Sequence, residues 1–334
     1  MAASPSRCLS RTMSHDSPSA SSAPSAPSVA EAGAPGALRR RWHRHEVPTL
    51  LLIALVYAVW AALVWWHRQI PPVALFLLGG YTVQLHGSLQ HEAIHAMRHV
   101  PRALRLAAVW PPLNLWLPYA LFERSHSAHH VNFHLTHPGK DTESAYHAAS
   151  AWNGYGRLRR AVARADQTLA FRMVAGPWLR LAGFARAEVA RLARGDRSHL
   201  GIWARHALGV AVLLGIVTQL ADMTAWKYVL CFVYPNMMLG ALRAFTEHRW
   251  EASPHGRVAI VESNALFGLL YLNNNFHHVH HRAPTMPWYR IPAHFRTHRA
   301  AILAANGHFY YRGYGQIARR YLLRPVFEPV HPRW

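Results

Sequence analysis

Four long apolar runs alternate with arginine-bearing polar stretches along the chain. The first, VPTLLLIALVYAVWAALVWW (47–66), is about 20 residues, or roughly 30 Å of helix, enough to cross a bilayer. After the link HRQIPP, VALFLLGGYTVQLHGSLQ (73–90) returns as a second helix. IWARHALGVAVLLGIVTQLA (202–221) and AWKYVLCFVYPNMMLGALRAF (225–245) form a second hairpin about the outer loop DMT. Between the hairpins, ALRLAAVWPPLNLWLPYALF (103–122) is just as apolar, but Pro111, Pro112 and Pro118 break it, so a re-entrant or interfacial helix pair is predicted there. Residues 150–200 are arginine-rich and amphipathic, a pattern that suits helices on a membrane surface and equally a charged, solvated face. The predicted fold is an all-α integral membrane protein of four transmembrane helices in two hairpins, with a cytoplasmic helical cap and interfacial helices.

Charge orients this arrangement. RRRWHRH (39–45) precedes the first helix and places the N-terminus in the cytoplasm, so the chain re-emerges on that side at His91 and again at His248. The outer loops carry only Arg68 and Asp222, while the inner segments hold the arginines. A net charge of +21 would by itself suggest nucleic acid. The lysines, however, are only Lys140 and Lys227, and arginines beside apolar segments favour anionic headgroups and cytoplasmic retention. Residues 1–37, rich in Ala, Ser and Pro without periodicity, read as a disordered leader that lacks the apolar stretch of a signal peptide. The domain itself is expected over 38–295, followed by a basic tail over 296–334. Cys8 and Cys231 are too few for a disulfide framework or an iron–sulfur cluster.

Histidine carries the candidate chemistry. Of 26 in the chain, 13 fall in 91–99, 126–137, His248 and 277–281. HEAIH fits the H-E-x-x-H pattern of zinc proteases, with His91 and His95 one turn apart and Glu92 as base; His99 would extend the same face. HSAHH brings His126, His129 and His130 toward one side of a helix, and HHVHH repeats that spacing with His277, His280 and His281. EHR adds Glu247 and His248 at the end of the fourth helix. One zinc takes three or four ligands, whereas this constellation offers nine imidazoles, which suits two metals better; imidazole alone does not choose among iron, copper and zinc. The extended zinc-protease pattern also needs a histidine where Pro101 stands. His15, His43, His45, His67, His199, His206, His308 and His331 read as solvated or core residues.

These boxes resemble the membrane fatty acid desaturase superfamily, which includes hydroxylases and ketolases. HEAIH, HSAHH and HHVHH stand where that family has its three histidine boxes; LNNNFHHVHHRAPTMPWYRIP (272–292) and RAFTEHR (243–249) are similar to its bacterial members, and the likeness covers about 47–295. The resemblance implies two non-haem irons, with His91, His95, His126, His129, His130, His248, His277, His280 and His281 as ligands, and O2-dependent attack on an acyl chain. It implies a multi-pass protein of a bacterial inner membrane with its boxes cytoplasmic. Some members place an asparagine one turn before the extra histidine; here Ala244 stands there, with Asn274 or Asn275 as substitutes or as plain turn residues.

The preferred function is a fatty-acyl desaturase of lipid metabolism. The alternatives are a hydroxylase or ketolase on a lipid or alkane and, more distantly, a zinc protease. Glu92, Glu123, Asp141, Glu143, Glu247, Glu251 and Glu262 lie near the boxes, where carboxylates can accept the outer N–H of ligating histidines or simply pair with arginines such as Arg124 and Arg249. Trp288 and Tyr289 read as interfacial anchors before substrate contacts. Electrons must come from a separate ferredoxin or b-type cytochrome with its reductase, since HPG (137–139) has no haem domain around it. Nothing in the sequence calls for nucleic acid.

Overall fold

The structure, a computed structural model, describes residues 46–131 and 134–334; the leader and the basic run at 39–45 lie outside the described residues. The chain is mostly helical. Helix α1 (Val47–Trp65) carries Pro48 in its first turn, where a missing N–H costs nothing, and α2 (Pro72–His95) opens on Pro72 after a short link. Continuous to His95, α2 delivers the first histidine box on its last turns.

The predicted re-entrant segment forms α3 (Arg102–Val109), an irregular stretch over 110–118, and α4 (Tyr119–His130), which carries the second box. Short helices follow: α5 (Ala149–Asn153), α6 (Arg157–Ala165) and α7 (Leu169–Val174), then the longer α8 (Gly176–Ala193). Several apolar side chains here face outward, among them Leu158, Trp178 and Val189.

The second hairpin begins with α9 (Leu200–Gly215), which widens into a π-turn at Ile216–Leu220, and returns as α10 (Ala225–Tyr228) and α11 (Tyr234–Ala244), joined by a π-turn at Val229–Val233. That second π-turn precedes Pro235, whose ring would otherwise strike the carbonyl one turn back. The same spot receives α2 at very short range. A Cβ on Gly79 would lie 2.5 Å from the Cys231 carbonyl oxygen, and one on Gly80 2.5 Å from Pro235 Cβ, so only glycine admits this approach. At the other end of the hairpins, Lys227 Nζ lies 2.8 Å from His67 Nδ1 and Arg68 pairs with Asp222, tying the two outer loops together.

Two helices are long and apolar enough to cross a membrane: Val47–Trp65, with mean hydropathy 2.4, and Leu200–Leu220, with 1.8. Only 28% of each is buried within the chain, whereas a soluble core helix hides most of its surface. The expected four spans thus reduce to two by this measure. Both α2 and Ala225–Ala244 fail it on apolarity: the second half of α2 carries Gln84, His86, Gln90, His91, Glu92 and His95, and Ala225–Ala244 carries Lys227, Asn236 and Arg243.

The cap is built from β1 (Ile260–Val261), α12 (Ala265–Leu270), α13 (His277–Arg282) with the third box, α14 (Ile291–Ala305), β2 (Tyr310–Tyr311) and α15 (Tyr314–Tyr321). β2 pairs in parallel with β1, and Tyr311, Tyr314 and Ile317 enter the main core beside Leu89, Ala93 and Phe245. A boundary at 295 therefore falls inside α14, and residues 296–334, set apart in sequence by their charge, are folded onto the domain.

Backbone bonding explains how the end of α3 and the irregular stretch 110–118 are accommodated among apolar helices. Tyr57 donates to the Ala108 carbonyl at 2.9 Å, Gln90 to Val109 at 2.9 Å, Tyr228 to Leu113 at 2.8 Å, and His206 Nε2 lies 2.9 Å from the Leu115 carbonyl. Each long helix or its extension thus gives one partner to a carbonyl that a break in helix would leave unmet. His206, read from sequence as an ordinary histidine, has this structural duty.

Candidate metal centre

Helical spacing sorts the nine histidines into two groups. On α4, His126 and His130 are one turn apart and share a face, while His129 projects from a neighbouring one; on α13, His277 and His281 share a face and His280 departs from it. The first group joins His91, His95, His126, His130 and His280, with ligand atoms within 4.8 Å of one another. The second, by the same measure, joins His129, His248, His277 and His281. Each H-x-x-H-H box therefore feeds both groups, in opposite proportion. The groups touch: the rings of His130 and His281 stack at 4.6 Å, and those of His129 and His130 lie 5.7 Å apart.

The rings point their Nε2 atoms inward. In the first group His130 Nε2 lies 3.0 Å from His126 Nε2 and 2.9 Å from His280 Nε2; in the second, His277 Nε2 lies 3.1 Å from His248 Nε2 and 3.2 Å from His281 Nε2. The Nε2 atoms of His91, His95 and His129 are buried without any hydrogen-bond partner. Unpaired buried nitrogens are costly unless something binds them, and nine converging imidazoles fit a pair of transition-metal ions.

The outer Nδ1 atoms meet carboxylates. His126 Nδ1 is 2.8 Å from Glu143, His129 Nδ1 is 2.7 Å from Asp141, and His277 Nδ1 is 3.6 Å from Glu247, which itself accepts from Arg243 Nε at 2.7 Å. Glu143 also approaches His129 Nε2 at 3.8 Å, so it stands between the groups. Of the seven acids near the boxes, Glu143 and Asp141 do what ligand-orienting carboxylates do, and Glu247 stands just beyond hydrogen-bond reach of His277. Glu92 instead accepts the Trp288 N–H at 3.0 Å, Glu262 bonds Tyr310 and Arg299, Glu251 caps the Ala252 N–H, and Glu123 is half-buried beside Tyr119 and in neither group.

Protonation follows burial. Burial pushes His248 down to about 3, and burial with His126 and His95 nearby takes His130 to about 2. His277, His280 and His281 are held well below the usual histidine range, first by burial and then by the charge of neighbouring histidines. His129 goes the other way: burial lowers it, but the Asp141 hydrogen bond and Glu143 outweigh that and raise it. Burial would raise Asp141 and Glu143; their histidine hydrogen bonds win and hold both below the carboxylate range. Neutral imidazoles keep the lone pair that a metal needs.

Other sequence expectations resolve differently. His99 is exposed and off the helix, because α2 stops at His95 and the chain turns toward Pro101, which starts α3. Asn275 is structural, donating to the Val261 carbonyl at 2.6 Å. Asn274 Oδ1 lies 3.3 Å from His277 Nδ1, and its amide nitrogen is buried without a partner. Trp288 and Tyr289 turn inward, Trp288 donating to Thr49 and Tyr289 to Glu46, both at 3.3 Å. A pocket of about 210 Å³ opens beside the second group between His255, His278 and Arg282. Sequence reasoning gave no sign of Thr136, whose backbone N–H holds Asp141 at 2.7 Å.

A family model described as Fatty acid desaturase matches residues 68–314. No curated protein matches the chain.

Proposed function

Because the chain belongs to the membrane fatty acid desaturase and hydroxylase family, a membrane-associated group of oxygen-dependent oxidoreductases, we propose that it is a di-iron desaturase that introduces a double bond into a lipid acyl chain. The observation that carries this reading is the pair of adjacent imidazole groups, five and four histidines, with inward Nε2 atoms and carboxylates on the outer Nδ1 atoms. His91, His95, His126, His130 and His280 would hold one iron, and His129, His248, His277 and His281 the other. When bound, the irons supply the redox chemistry that lets O2 attack an unactivated C–H bond.

The chain's own part is to bind and orient. Neutral imidazoles add no negative charge, so the site accommodates both redox states of iron. Asp141 and Glu143 fix the tautomers of His129 and His126 and stay charged while doing so. In this reading four spans carry the centre to the cytoplasmic face; support comes from the apolar character of α1 and of α9 with its π-turn, mean hydropathy 2.4 and 1.8, and from the packing of α2 against α1 and Ala225–Ala244. A membrane lipid supplies the acyl substrate, and an external ferredoxin or b-type cytochrome supplies two electrons.

A zinc protease would need Glu92 beside its metal, and that carboxylate is committed to Trp288. The test is expression in a host lacking the activity, with lipid mass spectrometry of wild type and His129→Ala and iron analysis of the purified protein. A new double bond that depends on His129, with about two irons per chain, supports desaturation. A new hydroxyl or keto group assigns the chain to the oxygen-inserting branch, and iron-free protein with unchanged lipids refutes the proposal.

A further inference from the structure

The segment after α15 runs back beneath the loop that carries the orienting carboxylates. Val326 N–H bonds the Gln167 carbonyl at 2.8 Å; further on, His147 N–H bonds Pro329 at 2.8 Å, His331 N–H bonds His147 at 2.9 Å, and Ala149 N–H bonds Trp334 at 2.8 Å. This strap lies beyond residue 314, where the family match ends. At its centre is His331, 3% exposed.

His331 has a defined tautomer. Its Nδ1 accepts the Arg333 N–H at 3.1 Å, so the ring proton resides on Nε2, which lies 3.4 Å from Thr136 Oγ1. Thr136 sits at φ 75°, a left-handed conformation that a β-branched residue holds only when its surroundings impose it. Two contacts do so: Nε2–H of His331 on the hydroxyl, and Ser144 Oγ donating to the Thr136 carbonyl at 2.7 Å. In that conformation the Thr136 N–H meets Asp141 Oδ2 at 2.7 Å, and Asp141 Oδ1 meets His129 Nδ1 at 2.7 Å. A second line runs beside it. The His331 ring lies against Tyr146, whose hydroxyl accepts the Trp250 N–H at 2.9 Å, two residues from His248.

Both lines end in the second histidine group. We propose that His331 is a positioning residue for that group, acting through Thr136 and Asp141 on His129, and that the strap gives this chain a support for one metal that lies outside the family's common part. The inference rests on the reading of the histidines as metal ligands.

The test measures metal binding rather than turnover. Full-length protein in detergent is stripped and titrated anaerobically with Co2+, followed by visible absorption, and His248→Ala identifies which binding step belongs to the second group. His331→Ala and Thr136→Val, which removes the hydroxyl while keeping the branched shape, should each weaken the second step about 10-fold, the size expected for losing a partner behind a ligand-orienting carboxylate. The first step should move much less, and His331→Gln, which keeps a side-chain N–H donor, should restore most of the loss. An unchanged second step in both variants, or an equal loss from both steps without rescue by Gln, would overturn the positioning role. Wild type that binds no metal in either step would instead refute the metal-centre reading and the positioning role with it.

Discussion

His129 Nδ1 and Asp141 Oδ1 lie 2.7 Å apart with both side chains buried, and the carboxylate is held on its other sides by the Thr136 and Glu143 N–H groups at 2.7 and 3.0 Å. A carboxylate fixed this way keeps the imidazole proton on Nδ1 and leaves the Nε2 lone pair directed into the second group. Asp141→Asn preserves volume and removes charge. Metal affinity at the second group is expected to fall about 10- to 100-fold, with the first group little affected. Anaerobic titration with Fe2+ checks this, and an unaltered second step would remove Asp141 from the centre.

Acid should destabilise the metal-free protein well above the pH at which carboxylates titrate. His130 and His248 have folded values near 2 and 3, and His277, His280 and His281 are also lowered, all primarily by burial. Below about pH 6.5 the unfolded chain therefore binds protons that the folded chain refuses, so stability falls as pH drops. His129, raised by Asp141 and Glu143 against its burial, has the opposite sign: its contribution is full in acid and is lost as pH rises through its folded value. Among these six histidines, one of that sign faces five of the other. The melting temperature of stripped protein in detergent should decline from pH 7.5 to 5.5, and a flat or rising profile would contradict the burial of neutral imidazoles.

The centre was legible in the sequence where a single helix fixes geometry and illegible where distant segments do. His91 with His95, and the two H-x-x-H-H boxes, show their faces through spacing alone, and the three prolines of 103–122 announce an irregular segment. How α4 and α13 interleave their histidines depends on helices about 150 residues apart in sequence, as the His130–His280 contact does, and no local pattern encodes that. Asp141 and Glu143 could be named only as acids near a box. Their selection over Glu92 or Glu262 comes from a loop pinned by residues 326–334, whose charge made them look like a tail. Helix α2 misled in another way: its polar residues lowered its hydropathy because they serve the centre and the irregular segment.

The crossing of α2 with α11 gives a paired test on one helix. Gly80→Ala would place a Cβ 2.5 Å from Pro235 Cβ, in a packed interface with no flexible side chain to yield, while a Cβ on Gly87 meets nothing within 4 Å. Overpacking of this kind costs about 1–3 kcal/mol. Gly87→Ala gains helix propensity of up to about 1 kcal/mol at no steric cost. Thermal unfolding in detergent should therefore shift downward for Gly80→Ala and stay level or rise for Gly87→Ala. Equal shifts in both would mean that α2 does not approach Pro235 so closely.

Glu92 separates the oxidative reading from the proteolytic one. Its carboxylate is 5% exposed and accepts the Trp288 N–H at 3.0 Å, holding the residues after the third box against the end of α2. Gln in its place retains an oxygen acceptor in nearly the same volume. The expected effect on lipid oxidation is less than about tenfold, since no more than one ordinary hydrogen bond of about 1 kcal/mol is altered. A metalloprotease losing its general base would drop by about 10²- to 10⁴-fold. Lipid turnover by Glu92→Gln in cells, set beside His129→Ala at equal protein level, decides the matter: near-wild-type turnover in the first and none in the second fits an acceptor for Trp288, and loss in both would return Glu92 to the chemistry.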